Sequence, residues 1–337
     1  MLIDQQALRF LHYSDQQCVE ILMRARWPDG FRCPRCGSAE HYRIQGRRLP
    51  LFACAVCRRQ CSLISGTVME RSRVPLQKWF TAVALLASRP IRATMLAERI
   101  RVTYKTAWLM LHKLRNAMSC QEERDRLTGL IRFEVVKSGP SPLPWVRNLG
   151  EQEHPFVIGG SMEGGPDGRV LGIKLMQDTG GDTYIWRITP RGVLRFIEKH
   201  VDLREAVIDW PDYRQVLKRV HSLWKIASDI AWDIATTHRG VGSKYRQAYL
   251  HEHAYRFNRA SREPSAHGHL LRLAASSGAP TLRQLKSRPV PGRPDWDTYR
   301  NPRRMHAELR ELAAGIMRQT PGGRAPGGHV PGGCAAG

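Results

Sequence analysis

Four cysteines near the N terminus constrain the fold more than any other feature of this sequence. Cys33 and Cys36 form one Cys-x-x-Cys pair, and Cys54 and Cys57 form a second pair after 17 intervening residues. Two such pairs at this separation are the spacing of a four-thiolate zinc site. Because four cysteines leave no open coordination position, the predicted Zn²⁺ is structural, in a zinc ribbon over residues 27–66.

The same cysteines are also compatible with two disulfides or four free thiols. The chain has 337 residues and eight cysteines, which is too few for a disulfide scaffold. Cys61 fits neither pair, so we interpret it as a small core residue, with metal exchange as the alternative. We find no signal peptide pattern and no apolar run near the ~18 residues of a membrane span. We therefore expect a cytoplasmic or nucleoid-associated protein without a membrane partner.

The charge of the chain indicates its partner class. It carries 53 Lys and Arg against 30 Asp and Glu, a formal net charge of +23. Such an excess favours a polyanionic partner, most often nucleic acid. The alternative is a genome that favours Arg, which would explain part of the positive charge without such a partner. The length allows two or three domains.

Helical patterns flank the cysteine segment, over residues 1–26 with a capping box at Ser14 and again from Pro75. A short helix from Ala93 to Ile100, a turn at 101–102 and a second helix capped by Thr103 predict a helix-turn-helix within residues 67–120. A recognition helix enters the major groove with its N-terminal residues. The predicted DNA contacts are therefore Tyr104, Lys105 and Trp108, flanked by His112 and Lys113. The alternative is an ordinary amphipathic helix with Trp108 in the core.

The second half of the sequence has strand patterns as well as helical ones. We predict a strand over 130–136, a loop over 139–153 and a hairpin of 156–159 with 170–175. A helix from Pro190 to His200, with Val193, Leu194 and Ile197 inward, a strand over 206–209, and helices over 213–235 and 243–258 follow. Three strands, a helix, a fourth strand and further helices are the order of an RNase-H-like domain, here over 127–260. Residues 261–337 are rich in Pro, Gly, Ala and Arg, and we predict a mostly disordered tail with one helix over 302–318. The expected fold class is thus multi-domain α+β and α/β.

Several segments carry a resemblance to a known family. They are Phe31-Arg32-Cys33-Pro34-Arg35-Cys36-Gly37, Cys57-Arg58-Arg59-Gln60, Ser65-Gly66-Thr67, Tyr104-Lys105-Thr106-Ala107-Trp108, Thr237-His238-Arg239-Gly240-Val241, Tyr249-Leu250 and Arg256-Phe257-Asn258-Arg259. The chain resembles bacterial insertion-sequence transposases that join a zinc ribbon to an RNase-H-like DDE-type (ISXO-like) domain. The resemblance implies DNA cleavage and strand transfer at transposon terminal repeats, by a homo-oligomer on double-stranded DNA. It also implies two Mg²⁺ or Mn²⁺ ions held by carboxylates.

The family's carboxylates transfer incompletely to this sequence. The family has a Val-Asp-Glu run five residues after a Gly, and counting from Gly129 puts Glu134 at the Asp and Val135 at the Glu. The extra methylene of Glu134 displaces its oxygens. Asp209 matches the second acid, with Asp212 as a nearby substitute.

The family's third ligand position corresponds to Trp224 in this sequence, and the family's Lys corresponds to Ala231. Neither residue can ligate a metal. Asp229 and Asp233 lie on the same predicted helix, out of phase with 224, and we take Asp229 as the third ligand after a register shift. We therefore expect a transposase-like DNA-binding protein with a degraded catalytic set. The alternatives are an inactive or repurposed DNA-binding protein, in which Glu134 and Asp209 are surface carboxylates, and a transcription-associated zinc-ribbon protein.

Overall fold

The computed structural model describes residues 5, 7–44, 46, 48–138, 154–164, 168–184, 187–211, 221–260, 266–290 and 302–319. The N-terminal elements are a 3-10 helix (Arg9–His12), α1 (Asp15–Arg26), β1 (His41–Ile44), β2 (Leu51–Cys54), β3 (Gln60–Ser62), α2 (Leu76–Ser88), α3 (Ala93–Ile100) and α4 (Tyr104–Arg124). The later elements are β4 (Leu127–Ser138), β5 (His154–Glu163), β6 (Arg169–Gln177), β7 (Thr183–Tyr184), β8 (Arg187–Ile188), α5 (Pro190–His200), β9 (Val201–Ile208), α6 (His221–His238), α7 (Ser243–Ala260), α8 (Ala266–Ser276), α9 (Leu282–Lys286) and α10 (Pro302–Gln319).

The N-terminal elements share one hydrophobic core. Strands β1, β2 and β3 form a three-stranded antiparallel sheet in that order. Phe52 of this sheet and Phe31 stack with ring centroids 5.4 Å apart, and both belong to the same buried cluster as Leu111 of α4. The cysteine segment is therefore packed on the helices, and segments 1–26, 27–66 and 67–120 do not have separate cores.

The local helix signals in this half are confirmed. Ser14 forms the capping box of α1 with Gln17, because each side chain bonds the backbone N–H of the other residue. Helix α3 ends before a left-handed residue, Arg101 with φ 50°, and α4 begins after Thr103, whose hydroxyl accepts from the backbone N–H of Thr106. Such caps satisfy donors that the first helical turn leaves unpaired.

A four-stranded mixed sheet in the order β6-β5-β4-β9 organises the second half. The strands β5 and β6 form the predicted hairpin, β4 pairs antiparallel with β5, and β9 pairs parallel with β4. Helix α5 connects the hairpin region to β9, while α6 and α7 contact the sheet from β4 to β6. Gly159 lets α5 approach the sheet, since a Cβ at that position would lie 2.3 Å from the ring of Phe196.

The inward face of α5 differs from the prediction at one position. Val193 and Ile197 are buried as predicted, but Leu194 is exposed and Phe196 fills the core. The ring of Phe196 is large enough to reach the Gly159 backbone and Phe133, with ring centroids 5.3 Å apart. The predicted loop over 139–153 and Asp212 lie outside the described residues.

The predicted disordered tail over 261–337 is corrected for the parts that the structure describes. Helix α8 lies in the N-terminal core, with Leu270 and Leu273 buried, and the Val68 N–H donates to the Ala274 carbonyl at 2.9 Å. Helix α10, the one helix predicted there, buries Met305 and Leu309 against α5. Apolar burial outweighs the polar composition of the surrounding sequence. Residues 320–337 lie outside the described chain. No described helix is long and apolar enough to cross a bilayer.

Candidate zinc centre and nucleic-acid interface

The four cysteine sulfur atoms lie together in the ribbon. The Sγ atoms of Cys33 and Cys57 are 3.5 Å apart, as are those of Cys36 and Cys54, and all four lie within 4.8 Å of one another. A tetrahedral zinc site with Zn–S bonds of about 2.3 Å has S···S edges of about 3.8 Å. A disulfide needs about 2.05 Å. The arrangement therefore fits a Zn²⁺ ion and excludes the two disulfides.

Both Cys-x-x-Cys turns have the same backbone geometry. The Gly37 N–H donates to the Cys33 carbonyl at 2.9 Å, and the Arg58 N–H donates to the Cys54 carbonyl at 3.0 Å. The residue after each turn is left-handed, with φ 74° at Gly37 and 57° at Arg58. A non-glycine residue is uncommon in this conformation. The second turn therefore holds an arginine where the first has a glycine.

Backbone N–H groups donate to two of these sulfur atoms. The N–H of Arg35 donates to Cys33 Sγ at 3.5 Å, and that of Cys57 donates to Cys54 Sγ at 3.5 Å. The bond from Arg35, helped by one from Cys36, lowers the pKa of the Cys33 thiol to about 6. The thiolate is the form that binds zinc.

Cys61 is separate from this cluster. It is buried, as predicted for a core residue, and the Nη2 atom of Arg26 lies 3.6 Å from its Sγ atom. The other guanidinium nitrogen, Nη1, donates to the carbonyls of Ser62 and Leu63. Arg26 therefore ties α1 to the strand that contains Cys61.

The predicted DNA-contacting residues of α4 divide into two groups. Tyr104 is 54% exposed and Lys105 is exposed, at the first turn of the helix. The Lys78 ammonium fixes the preceding turn by donating to the Arg101 carbonyl at 2.9 Å. Trp108 is half-buried and packs on His112 and Tyr245, with ring centroids 4.1 and 5.7 Å away.

The structure does not support a DNA contact for the last two predicted residues. His112 is only 1% exposed and lies between Trp108 and Tyr245. Lys113 is half-buried, and its ammonium donates to the carbonyls of Val68 and Glu70 at 3.3 and 3.1 Å. Both side chains fix α4 within the fold because α7 and the segment after the ribbon cover this part of the helix.

Buried charges that the sequence reasoning missed join α4 to the second half. Glu252 of α7 pairs with Arg115 of α4 and with Arg256 of its own helix. Two turns along α4 from Arg115, Glu122 accepts from the Lys174 ammonium at 2.7 Å and from the Asn258 amide at 3.1 Å. In the sequence, segment 249–259 carries an acid, arginines and an asparagine at helical spacing. This pattern indicates a polar helix face, but it does not identify the residues with which these side chains pair.

The predicted catalytic carboxylates occupy three different environments. Glu134 lies in β4, opposite Ile158 of β5. Asp209 follows β9, where its N–H donates to the Ile131 carbonyl at 2.9 Å and its carboxylate pairs with Arg132 at 2.7 Å. Asp229 is exposed on α6. Arg132 and Glu134 are two residues apart on one strand and share a sheet face.

These acids do not form an ion site as placed. Among the described residues, the four cysteines are the one group of three or more His, Cys, Asp or Glu ligands that could hold a common ion. Mg²⁺ requires oxygen ligands in nearly octahedral geometry. Glu134, Asp209 and Asp229 do not provide that set, and we derive no step through a divalent ion.

Comparisons with known proteins bear on the ribbon first. Residues 13–60 match the family described as the transposase zinc-ribbon domain. The chain is also similar to the "Uncharacterized protein in transposable element ISH50" of Halobacterium salinarum, with 30% identity over 129 residues. That match covers 37% of this chain and 43% of the relative, so the chain spans less than half of the relative's length. No solved structure matches. These matches confirm the resemblance to insertion-sequence transposases, while the RNase-H-like DDE-type domain stays a prediction.

Proposed function

We propose that this chain is a transposase-like DNA-binding protein of an insertion sequence that binds the terminal repeats of the element. The transposase zinc-ribbon match over 13–60 supports the class of protein. The DNA contact rests on one observation: α4 exposes Tyr104 and Lys105 while its later turns lie in the core that contains Cys33 and Cys54. A rigidly held helix N terminus suits the major groove, and α3 with α4 then acts as the helix-turn-helix. The net charge of +23 favours binding to the phosphate backbone.

The strand order of the second half supports an RNase-H-like assignment for residues 127–260. Three antiparallel strands are followed by α5 and by β9, which pairs parallel with β4. In this assignment Glu134 lies on the first strand, Asp209 follows the fourth strand, and Asp229 lies on the next helix. These are the positions at which the resemblance implies catalytic acids.

We infer that this set of carboxylates is degraded. The carboxylate of Asp209 is paired with Arg132, and Asp229 lies exposed on α6. Glu134 has a longer side chain than the aspartate of the family. The function that the geometry supports best is therefore binding of transposon ends without efficient cleavage, by two or more copies on paired ends as the resemblance implies.

The competing function is metal-dependent DNA cleavage and strand transfer, and one observation favours it. Asp209 lies at the carboxyl end of β9 beside β4, which brings it to the strand that contains Glu134. Cleavage would require Arg132 to release Asp209 and α6 to supply a third ligand.

A strand-cleavage assay on the ends of the element, with Mg²⁺ or Mn²⁺, separates the two functions. We expect salt-sensitive binding of the duplex and no nicking above background. Nicking that is abolished by both Glu134→Ala and Asp209→Ala would establish the enzyme instead. Failure of the wild-type protein to bind any duplex at physiological salt would contradict both functions.

A further inference from the structure

A cleft of 360 Å³ lies where α3 meets the C-terminal end of α6. It therefore lies between the N-terminal helices and the sheet half. None of its lining residues is among the DNA contacts predicted from the sequence. They are Arg92, Thr94, Met95, Glu98, His238 and Arg239.

Two lining residues of this cleft each have a buried side-chain nitrogen atom without a hydrogen-bond partner in the described part of the chain. These atoms are Nε of Arg92 and Nε2 of His238. Buried polar atoms in folded proteins are nearly always paired, and these two atoms lack the acceptor that such groups usually have. Burial lowers the pKa of His238 to about 4. The imidazole is therefore neutral at physiological pH and can donate one hydrogen bond through Nε2.

The backbone of α3 adds donors at the same place. Arg92 is the N-cap residue of α3, and no side chain caps this helix. Its first intrahelical bond runs from the Leu96 N–H to the Arg92 carbonyl, which leaves the N–H groups of residues 93–95 without intrahelical partners. Such a helix end attracts anions, and the Thr94 hydroxyl offers a further donor.

The charge balance of the cleft also favours an anion. Arg92 and Arg239 carry two positive charges, and Glu98 is the one acid among the lining residues. Arginine presents several N–H groups in a fork that matches the oxygen atoms of a phosphate. A phosphodiester fits this combination better than a carboxylate does because it offers acceptors on both sides of the cleft.

We propose that this cleft binds a backbone phosphate of the duplex, through Arg92, Arg239, His238 and the N terminus of α3. The inference rests on the proposed DNA-binding function and adds a contact outside the first turn of α4. Since His238 and Arg239 belong to the second half, the bound strand bridges the two halves of the protein. Glu98 opposes the phosphate and limits the affinity.

The test is the salt dependence of binding to a generic duplex by Arg92→Gln, Arg239→Gln and Glu98→Gln. Each phosphate contact contributes about 0.9 to the slope of log K against log salt. We expect each arginine variant to lower the slope by about that amount and to weaken binding regardless of sequence. Glu98→Gln should instead tighten binding. Arg204→Gln is the control because Arg204 is exposed on β9 and its partner is Asp202.

The outcomes separate this inference from the proposed function. If the wild-type protein binds DNA and both cleft arginine variants behave like Arg204→Gln, the cleft inference is wrong and the proposed function stands. If Glu98→Gln leaves the affinity unchanged or weakens it, the cleft inference is also contradicted. If the wild-type protein binds no duplex, both fail. Thermal unfolding of each variant verifies that it is folded, and Glu98→Gln, at an exposed position, keeps the test decisive if an arginine variant unfolds.

Discussion

Arg115 of α4 and Glu252 of α7 form an ion pair across 137 residues of sequence, with side chains only 2% and 0% exposed. Burial alone would raise the pKa of Glu252, but Arg115 and Arg256 hold it well below its usual range. The Arg115 guanidinium also lies over the ring of Tyr249, 4.0 Å from its centroid. A buried and fully paired charge therefore connects α4 to the second half of the molecule.

Removing one partner of this pair should be costly. Glu252→Gln leaves two arginines near a neutral amide, and we expect a loss of about 3–5 kcal/mol in the free energy of unfolding. Arg115→Met should cost less because Arg256 still neutralises Glu252. In the double variant the costs should not add, with a coupling of about 0.5–3 kcal/mol. Urea denaturation of the four proteins measures this cycle, and strictly additive costs would contradict a direct pair.

Loss of one zinc ligand should remove both the metal and part of the stability. We expect Cys33→Ser to purify without stoichiometric zinc and to unfold roughly 10 °C earlier, since structural zinc binding contributes directly to folding. Cys120→Ser is the matched control because Cys120 lies in α4, outside the cluster, with Asn116 3.7 Å from its sulfur. Metal analysis and thermal unfolding give the result. Equal zinc content in Cys33→Ser and wild type would make the zinc assignment wrong.

Helix α8 should be part of the N-terminal core and not a dispensable tail. Leu270 is completely buried, whereas Leu282 is 43% exposed in the next helix. We expect Leu270→Ala to cost about 2–5 kcal/mol and Leu282→Ala about 0.5 kcal/mol or less. Chemical denaturation compares the two, and equal small effects would restore the expectation of a disordered segment.

What the sequence predicts here is mostly local. The cysteine spacing, the Ser14 and Thr103 caps and the hairpin depend on neighbours in the chain, and the structure has them as predicted. The errors depend on distant partners. His112 lies on a basic helix and therefore resembles a DNA contact in the sequence, but in the structure α7 covers it. Helix α8 is masked by polar neighbours and is stabilised by packing on α1 and α2.

Four buried histidines and the half-buried His238 should make the fold sensitive to mild acid. Burial lowers the pKa values of His112, His200, His251 and His253 to about 3 and that of His238 to about 4. Below the ordinary value of 6.5 the unfolded chain binds protons that the folded chain excludes. Stability should therefore be complete above pH 6.5 and fall towards pH 3, by up to about 1.4 kcal/mol per pH unit for each histidine.

The contribution of one histidine to the pH dependence of stability can be measured by comparing a variant with wild type. Both ring nitrogens of His251 lack partners among the described residues, so His251→Phe should flatten the pH dependence between about pH 5 and 6.5. The exposed His12→Gln serves as the control. Urea denaturation with saturating zinc gives the free energy of unfolding at each pH. Parallel curves for His251→Phe and wild type would contradict the buried neutral histidine.

The central claim is that the first turn of α4, held on the zinc-bearing core, binds duplex DNA. Its most direct test is the salt dependence of binding to the terminal repeats by wild type, Lys105→Gln and Lys113→Gln. Lys105 is exposed, whereas Lys113, on the same helix, donates to the backbone carbonyls of Val68 and Glu70. We predict a slope about 0.9 lower for Lys105→Gln and an unchanged slope for Lys113→Gln. Identical slopes for Lys105→Gln and wild type, or no wild-type binding at physiological salt, would contradict the claim.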